Sequence, residues 1–259
     1  MSAQGAYSQS LERGLSILAA FDASTPLLGV SELARLVGST RSTTHRYVAT
    51  LCVLGYLQQD PGTRKYRLGP RILDLGFSAL NSMELREVSL PHLRQLSDDT
   101  GHTVNMAVLD GTDIVYIERC RSSRPGQSEI DLNLHIGSRL PAYCTSLGKA
   151  LLAHLPEDAR RDVVERSDLS RRGPNTLTSR KALLEELERV RAEGLALNNE
   201  ELAYGLRSIA VPLLTRSEEP VAAINLAAHR SMVSLDDLVE RLGPPLRRTA
   251  AAISARIGY

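Results

Sequence analysis

Tryptophan is absent and aromatic residues make up only 4% of the 259-residue chain, so a platform of stacked rings for single-stranded nucleic acid is not expected. Cysteine is scarce. Cys52, Cys120 and Cys144 are odd in number and far apart, which excludes a disulfide framework and implies reduced thiols. The histidines are scattered, with no HxxxH or CxxC pairing, so neither a tetrahedral metal site nor a cofactor is expected. No stretch is long and apolar enough to span a membrane. Residues 1–9 are small and polar and lack the core of a secretion signal, so disorder there and a cytoplasmic location are the expectations. Net charge is +1, and any attraction to a polyanion must therefore come from a local patch.

Such a patch lies near the start. Residues 1–80 hold eight Lys and Arg against five Asp and Glu. Within them, Gly29 to Leu68 reads as two short helices and a hairpin. Ser31 is a candidate N-cap ahead of the helically spaced Leu33, Leu36 and Val37. Gly38-Ser39-Thr40 breaks that helix, Thr40 can cap a second one over Arg41 to Leu54, and Gly55 stands where a C′ glycine belongs. Thr44, Tyr47, Val48 and Leu51 fall on one face, while Arg41, Ser42, Thr43, His45, Arg46 and Thr50 fall largely on the other. Arginines and small hydroxyls at a helix start suit base edges and phosphates in a major groove. The turn Asp60-Pro61-Gly62-Thr63 then joins two alternating arms, the second carrying Arg64, Lys65 and Arg67. Together this is a winged helix-turn-helix, expected to bind double-stranded operator DNA. Two helices alone also fit a plain all-α core with a solvated polar face; the basic hairpin at this distance favours DNA. Ser10 is read as capping an earlier helix, with Leu11, Leu15 and Leu18 toward a three-helix core. Arg13 on that helix joins the expected DNA-contact set of Thr40, Arg41, Ser42, Thr43, His45, Arg46, Thr50, Arg64 and Lys65.

The expected domains are 1–68 for DNA binding, 69–88 as a helical linker opened by Pro70, and 89–259 as an α+β unit. Ile72, Leu75, Phe77 and Leu80 make the linker apolar enough either to pack on its own domain or to meet a second copy. Beyond it, Ser89-Leu90-Pro91 is read as opening a helix that stops at Gly101. Strands follow over Thr103–Leu109, Ile114–Arg119 and Ile130–Ile136, the first two joined by Asp110-Gly111. Further strands are read over Ile209–Leu214 and Val221–Ala227. The grouping of hairpin-linked strands and helices implies an antiparallel sheet flanked by helices. Ser234 and Asp237 are read as capping a further helix, which Pro244-Pro245 is expected to break before a final helix ending near Ile257. Three features here carry chemistry. Thr145 and Ser146 begin a helix, where backbone N–H groups favour an anion or a hydroxyl simply caps. Asn198-Asn199-Glu200-Glu201 faces Gly205 to Ser208 as a second polar loop, or is an ordinary one. Asn225 interrupts an apolar strand, so it either satisfies a neighbour or faces a ligand. An enzyme using Cys144 with His135 or His154, and an architectural DNA binder without a ligand, are the competing classes.

The segments Ser10–Leu18, Leu33–Leu57, Gly137–Pro141, Ser146–Ala150 and Gly205–Pro212 resemble the IclR family of bacterial transcription regulators. That resemblance implies a winged helix-turn-helix, a linker helix and a GAF-like effector-binding domain. It also implies homodimers, often paired as a dimer of dimers, and no catalysis. Carried over by motif, the effector pocket would use Thr145, Ser146, Leu147, Gly148, Asn198, Asn199, Ser208, Asn225 and Ala227. The wording Arg139–Ser146 and Leu197–Leu202 is most similar to the branch that regulates protocatechuate and 4-hydroxybenzoate breakdown. The implied effector is a small aromatic carboxylic acid or a β-ketoadipate-pathway acid, a small aliphatic acid being the alternative. Its carboxylate would sit on the Thr145–Gly148 N–H groups, Met106, Leu132, Leu134 or Tyr143 would wall the ring, and Ser208 or Asn225 would bond a ring hydroxyl.

Overall fold

The computed structural model describes residues 7–22, 24–81, 83–122 and 134–257. The chain divides into two compact units between residues 82 and 83.

The first unit comprises α1 (Gln9–Ala19), α2 (Val30–Leu36), α3 (Arg41–Val53), the hairpin β1 (Leu57–Gln59) and β2 (Tyr66–Leu68), and α4 (Arg71–Asn81). Ile17, Phe21, Leu28, Leu33, Val48, Leu57 and Tyr66 form its core. Burial of an aliphatic or aromatic side chain stabilises by about 1.5–3 kcal/mol, so seven such residues are enough to organise a small unit. Leu28 adds a bridge to the hairpin, exchanging backbone bonds with Tyr66 at 3.0 and 2.8 Å.

Several local expectations need correction. Ser8, not Ser10, caps α1, accepting from the Leu11 N–H. Leu11 and Leu15 point to solvent, while Ile17 and Phe21 reach the core. α2 starts after Gly29, not Ser31, because the Glu32 carboxylate folds back to accept the Gly29 N–H at 2.7 Å. The acceptor chosen is three residues into the helix rather than the hydroxyl at its mouth.

The second unit holds α5 (Glu84–Thr100), β3 (Thr103–Asp110), β4 (Asp113–Cys120), β5 (Arg139–Pro141), α6 (Ser146–His154), α7 (Glu157–Arg166), α8 (Arg180–Glu193), β6 (Ala196–Asn199), β7 (Leu206–Leu214), β8 (Pro220–His229) and α9 (Gly243–Ser254). The strands form one antiparallel sheet in the order β5-β4-β3-β8-β7-β6. α5 opens at Glu84, earlier than Ser89, and carries Pro91 inside it. Pro244 and Pro245 do not break the chain's last helical stretch. They occupy the first turn of α9, where no intrahelical N–H bond is needed, and a π-helical segment, Asp237–Leu242, leads directly into it. The expected strand Ile130–Ile136 falls mostly outside the described residues.

Alternation along the strands sorts the sheet's two faces. Ala107, Ala196, Ala210 and Ala223 are small residues on the face that packs against α6, where Leu147, Leu151 and Leu152 are buried. β4 contains a bulge: Met106 faces Glu118 and Ala107 faces Tyr116, leaving Ile117 as the extra residue. Tyr116 and Arg119, three apart in sequence, therefore share one face.

Candidate functional site

α3 begins where Thr40 closes its first turn. The Thr43 N–H donates to Thr40 Oγ1 at 3.2 Å, and the two hydroxyls lie 2.9 Å apart. The helical period then turns Thr44 and Val48 into the core and leaves Arg41, Ser42, His45, Arg46 and Thr50 exposed on the other side; Thr43 is half-buried. The Thr50 hydroxyl donates back to the Arg46 carbonyl at 3.0 Å. In the wing, Arg64 is exposed at the turn with φ 59°. Lys65 differs from expectation: its Nζ pairs with Glu32 at 3.2 Å and ties the wing to α2. Arg67, outside the expected set, is exposed on β2. Arg13 is half-buried on α1.

In the second unit a cavity lies between the sheet and the start of α6. It offers about 60 Å³ to the centre of a water-sized sphere. One water needs roughly 10–15 Å³ on that measure, so a small organic molecule fits. Its floor is two rows of side chains fixed by strand register. One runs Asn198, Ser208, Ala227, Thr103; the other runs Asn225, Asn105, Arg119. Arg119 Nη1 donates to Asn105 Oδ1 at 3.0 Å, and Asn105 Nδ2 donates to Asn225 Oδ1 at 2.8 Å. Asn225 is thus satisfied by a neighbour and also lines the cavity. Thr145 and Ser146 line the opposite wall, with the Ser146 and Ser208 hydroxyls 2.7 Å apart. Asn198 Nδ2 donates to the Cys144 carbonyl at 2.7 Å and its Oδ1 accepts the Glu201 N–H at 3.2 Å, which holds the loop after β6 against the start of α6.

Leu134, Leu202 and Leu206 contribute apolar wall, with Tyr116 beside them. Burial pushes the Tyr116 phenol up to about 12, so it stays protonated and able to donate. His102, also lining, has its pKa lowered by burial and then by Arg241, which keeps the ring neutral.

Five expected pocket residues do not line the cavity. Met106 lies one residue out of phase with Asn105 and faces the other side of the sheet. Asn199 is out of phase with Asn198 and accepts from Arg207 instead. Tyr143 and Leu147 are core residues, the Tyr143 hydroxyl donating to the Ser170 carbonyl. Gly148 is there for close approach: a Cβ would sit 2.1 Å from the Ala142 carbonyl oxygen. Its N–H donates to Thr145 Oγ1 at 3.0 Å, so the expected row of anion-binding N–H groups is shortened by the helix's own cap. Leu132 lies outside the described residues.

Asn105, Tyr116, Arg119, His102, His229 and Met232 are lining residues that the motifs do not point to. Asn105 carried a usable signal, a polar residue in mid-strand like Asn225. Tyr116 and Arg119 did not, because simple alternation puts them on opposite faces and only the bulge unites them. Cys144 is fully buried, its thiol donates to the Pro141 carbonyl at 3.8 Å, and burial pushes it up to about 12. A thiol protonated at neutral pH is no nucleophile.

Two family models match the chain: the IclR helix-turn-helix domain over residues 10–61, and the bacterial transcriptional regulator IclR C-terminal domain over 77–255. The Pca regulon regulatory protein of Pseudomonas putida is 37% identical over 237 residues, covering 92% of this chain and 80% of that one. The p-hydroxybenzoate hydroxylase transcriptional activator of Acinetobacter baylyi is 34% identical over 247 residues, covering 94% and 90%. Among solved structures, an IclR homolog from Microbacterium hydrocarbonoxydans complexed with 4-hydroxybenzoate superposes with a TM-score of 0.80 at 27% identity, covering 95% and 98%. A DNA-reading unit, a separate ligand cavity and these matches together place the chain in the IclR family of transcription regulators: it is a ligand-responsive DNA-binding protein and not an enzyme.

Proposed function

We propose that this regulator controls an aromatic-acid degradation operon and that its effector is 4-hydroxybenzoate, protocatechuate or a related pathway acid held in the cavity above β3, β7 and β8. The observation that carries this is the cavity's layout. Polar groups stand on opposite strands of its floor, Arg119 with Asn105 on β4 and β3 and Ser208, bonded to Ser146, on β7, and Leu134, Leu202, Leu206 and Ala227 supply apolar lining. A flat ring with a carboxylate and a distant hydroxyl matches two separated polar groups within a leucine-lined cavity better than a short keto acid does. The similarity to the Pca regulon regulatory protein, to the p-hydroxybenzoate hydroxylase transcriptional activator and to the homolog complexed with 4-hydroxybenzoate supports the same class.

On the DNA side, Arg41, Ser42, His45 and Arg46 enter the major groove and Arg64 contacts the flanking backbone. Two copies act together. α4 buries none of its side chains and leaves Leu73, Leu75 and Phe77 more than half exposed, and α1 leaves Leu11 and Leu15 exposed. A second copy covering these faces would form the dimer that reads paired half-sites, with a dimer of dimers as the larger assembly.

Thermal unfolding of the full chain against a panel of acids tests the effector class, because a ligand that binds only the native state raises the midpoint. A concentration-dependent rise with 4-hydroxybenzoate or protocatechuate is expected. A rise with glyoxylate or pyruvate alone would discard the aromatic reading and keep the regulator.

A further inference from the structure

We propose that Arg119 is the carboxylate anchor of the cavity, so that the acid lies across the sheet with its charged end over β4 and β3 and its other end toward the Ser146–Ser208 pair. This rests on the cavity being the effector site; it replaces the start of α6 as the place where the charge is held.

Three independent features lead to Arg119. First, among the described residues that line the cavity it is the only one with a permanent charge, and no Asp or Glu lines it. A carboxylate taken from water into such a site needs a charged partner. Second, Arg119 faces the cavity only because of the bulge at Ile117. Were Ile117 paired in regular alternation instead of bulged, Arg119 would fall on the side of the sheet opposite Tyr116. Bulges commonly re-aim a single side chain beside a functional site. Third, the guanidinium is held by a chain of amides that has no other evident use. Asn105 is 2% exposed and Asn225 is 4% exposed, two polar residues in the middle of apolar strands, and they bond each other and Arg119 in line. Buried amides in that arrangement are costly unless fully paired. Their pairing fixes the guanidinium before the ligand arrives, which is the preorganisation a two-bond Arg–carboxylate contact exploits.

The opposite end is chemically different. The Ser146 and Ser208 hydroxyls bond each other, Asn198 is committed to the Cys144 carbonyl and the Glu201 N–H, and the Gly148 N–H is taken by Thr145. Hydroxyls can accept and donate to an uncharged group without supplying a counter-charge. The two ends therefore select an acid whose second polar group is neutral.

The test is calorimetric titration of the full chain with 4-hydroxybenzoate, protocatechuate, glyoxylate and pyruvate, each beside its primary amide. The amide keeps the shape and removes the charge. Wild type should prefer the acid it binds over that acid's amide by about 10- to 100-fold, the range of a charge-assisted contact. R119Q should bring the ratio to near one and R119K should restore part of it. N105D, which seats a carboxylate on Arg119 from within the protein, should reverse the preference toward the amide, and it provides the answer if R119Q fails to fold. A wild-type acid preference retained in R119Q or in N105D overturns the anchor. If only an aliphatic acid binds and its preference depends on Arg119, the anchor stands and the aromatic reading falls. If no acid binds to wild type, both fall.

Discussion

Lys149 offers a stringent test of what holds the cavity's walls together. It lies on α6 with its side chain 1% exposed, and its Nζ sits 2.6 Å from Glu201 Oε1 and 3.1 Å from Glu186 Oε1. Glu201 belongs to the loop that Asn198 ties to the start of α6, and Leu202 next to it lines the cavity. Burial raises the Glu201 pKa even with Lys149 beside it, and Glu201 Oε2 has no hydrogen-bond partner among the described residues. Lys149→Met keeps the aliphatic stem and removes the charge, leaving a buried carboxylate uncompensated. Breaking a buried pair in this way costs about 3–5 kcal/mol. For a unit of this size each kcal/mol moves the melting temperature by about 2–4 °C, so a fall of roughly 6–20 °C is expected at pH 7. The pH dependence gives a second check. A carboxylate whose folded pKa is raised contributes stability that is present below its unfolded value and lost as pH rises through the folded one. Without Lys149 the raise is larger, so the variant should lie closer to wild type at pH 5 than at pH 7. Lys149→Met combined with Glu201→Gln should recover more than half of the loss. Scanning calorimetry of the three proteins at both pH values decides it. A variant melting within about 2 °C of wild type at pH 7, or a gap that widens on acidification, would refute the reasoning.

Arg41→Ala should weaken binding to a selected operator duplex by about 1–3 kcal/mol if the side chain reads a base, with effector affinity unchanged; an unaltered gel-shift midpoint removes Arg41 from the DNA surface. Gly148→Ala should cost about 1–3 kcal/mol by overpacking against the Ala142 carbonyl, and a urea midpoint equal to wild type would show that the turn before α6 yields freely. Cys120 and Cys144 are pushed up to about 11 and about 12 by burial, against about 8.5 in an unfolded chain. Both should resist iodoacetamide at pH 8 in the native state and react in urea. Their contribution to stability is whole below pH 8.5 and declines as pH rises toward 12. The urea midpoint should therefore fall between pH 8 and pH 10, and a rise would contradict the burial of these thiols.

The architecture was legible because its signals are local. Thr40 caps α3 and Gly55 follows it with positive φ, as the spacing required. The strands around the turn at Gly111 are likewise set by neighbours in sequence. Where a local rule failed, a competing local interaction won: Glu32 displaced Ser31 as the organiser of α2, and Pro244 and Pro245 served a first turn instead of ending a helix. The exposed Leu11 and Leu15 show a further limit of periodicity. An apolar stripe reports that something is to be covered, and cannot say whether the cover comes from the same chain.

The cavity is another matter, because its chemistry is assembled across the sheet. Thr145, Ser146, Asn198, Ser208, Asn225 and Ala227 line it, and each belongs to a motif legible along the chain. The charged end does not. Asn105 and Asn225 are 120 residues apart and become partners only through the β3–β8 register. Arg119 reaches them only through a one-residue bulge that leaves no compositional trace. A strand read as strict alternation assigns Arg119 to the wrong face, and with it the sign of charge inside the pocket. Deleting Ile117 would remove the bulge yet keep Arg119 on the face of Tyr116 and opposite Asn105, because Tyr116 and Arg119 would then stand two residues apart. If the face on which Arg119 lies decides where the acid is held, the deletion should retain the acid-over-amide preference that Arg119→Gln loses, provided the native sheet persists by circular dichroism. An Ile117 deletion that folds natively and no longer discriminates acid from amide would mean that facing the cavity is not enough, and that the bulge itself sets the position of the guanidinium.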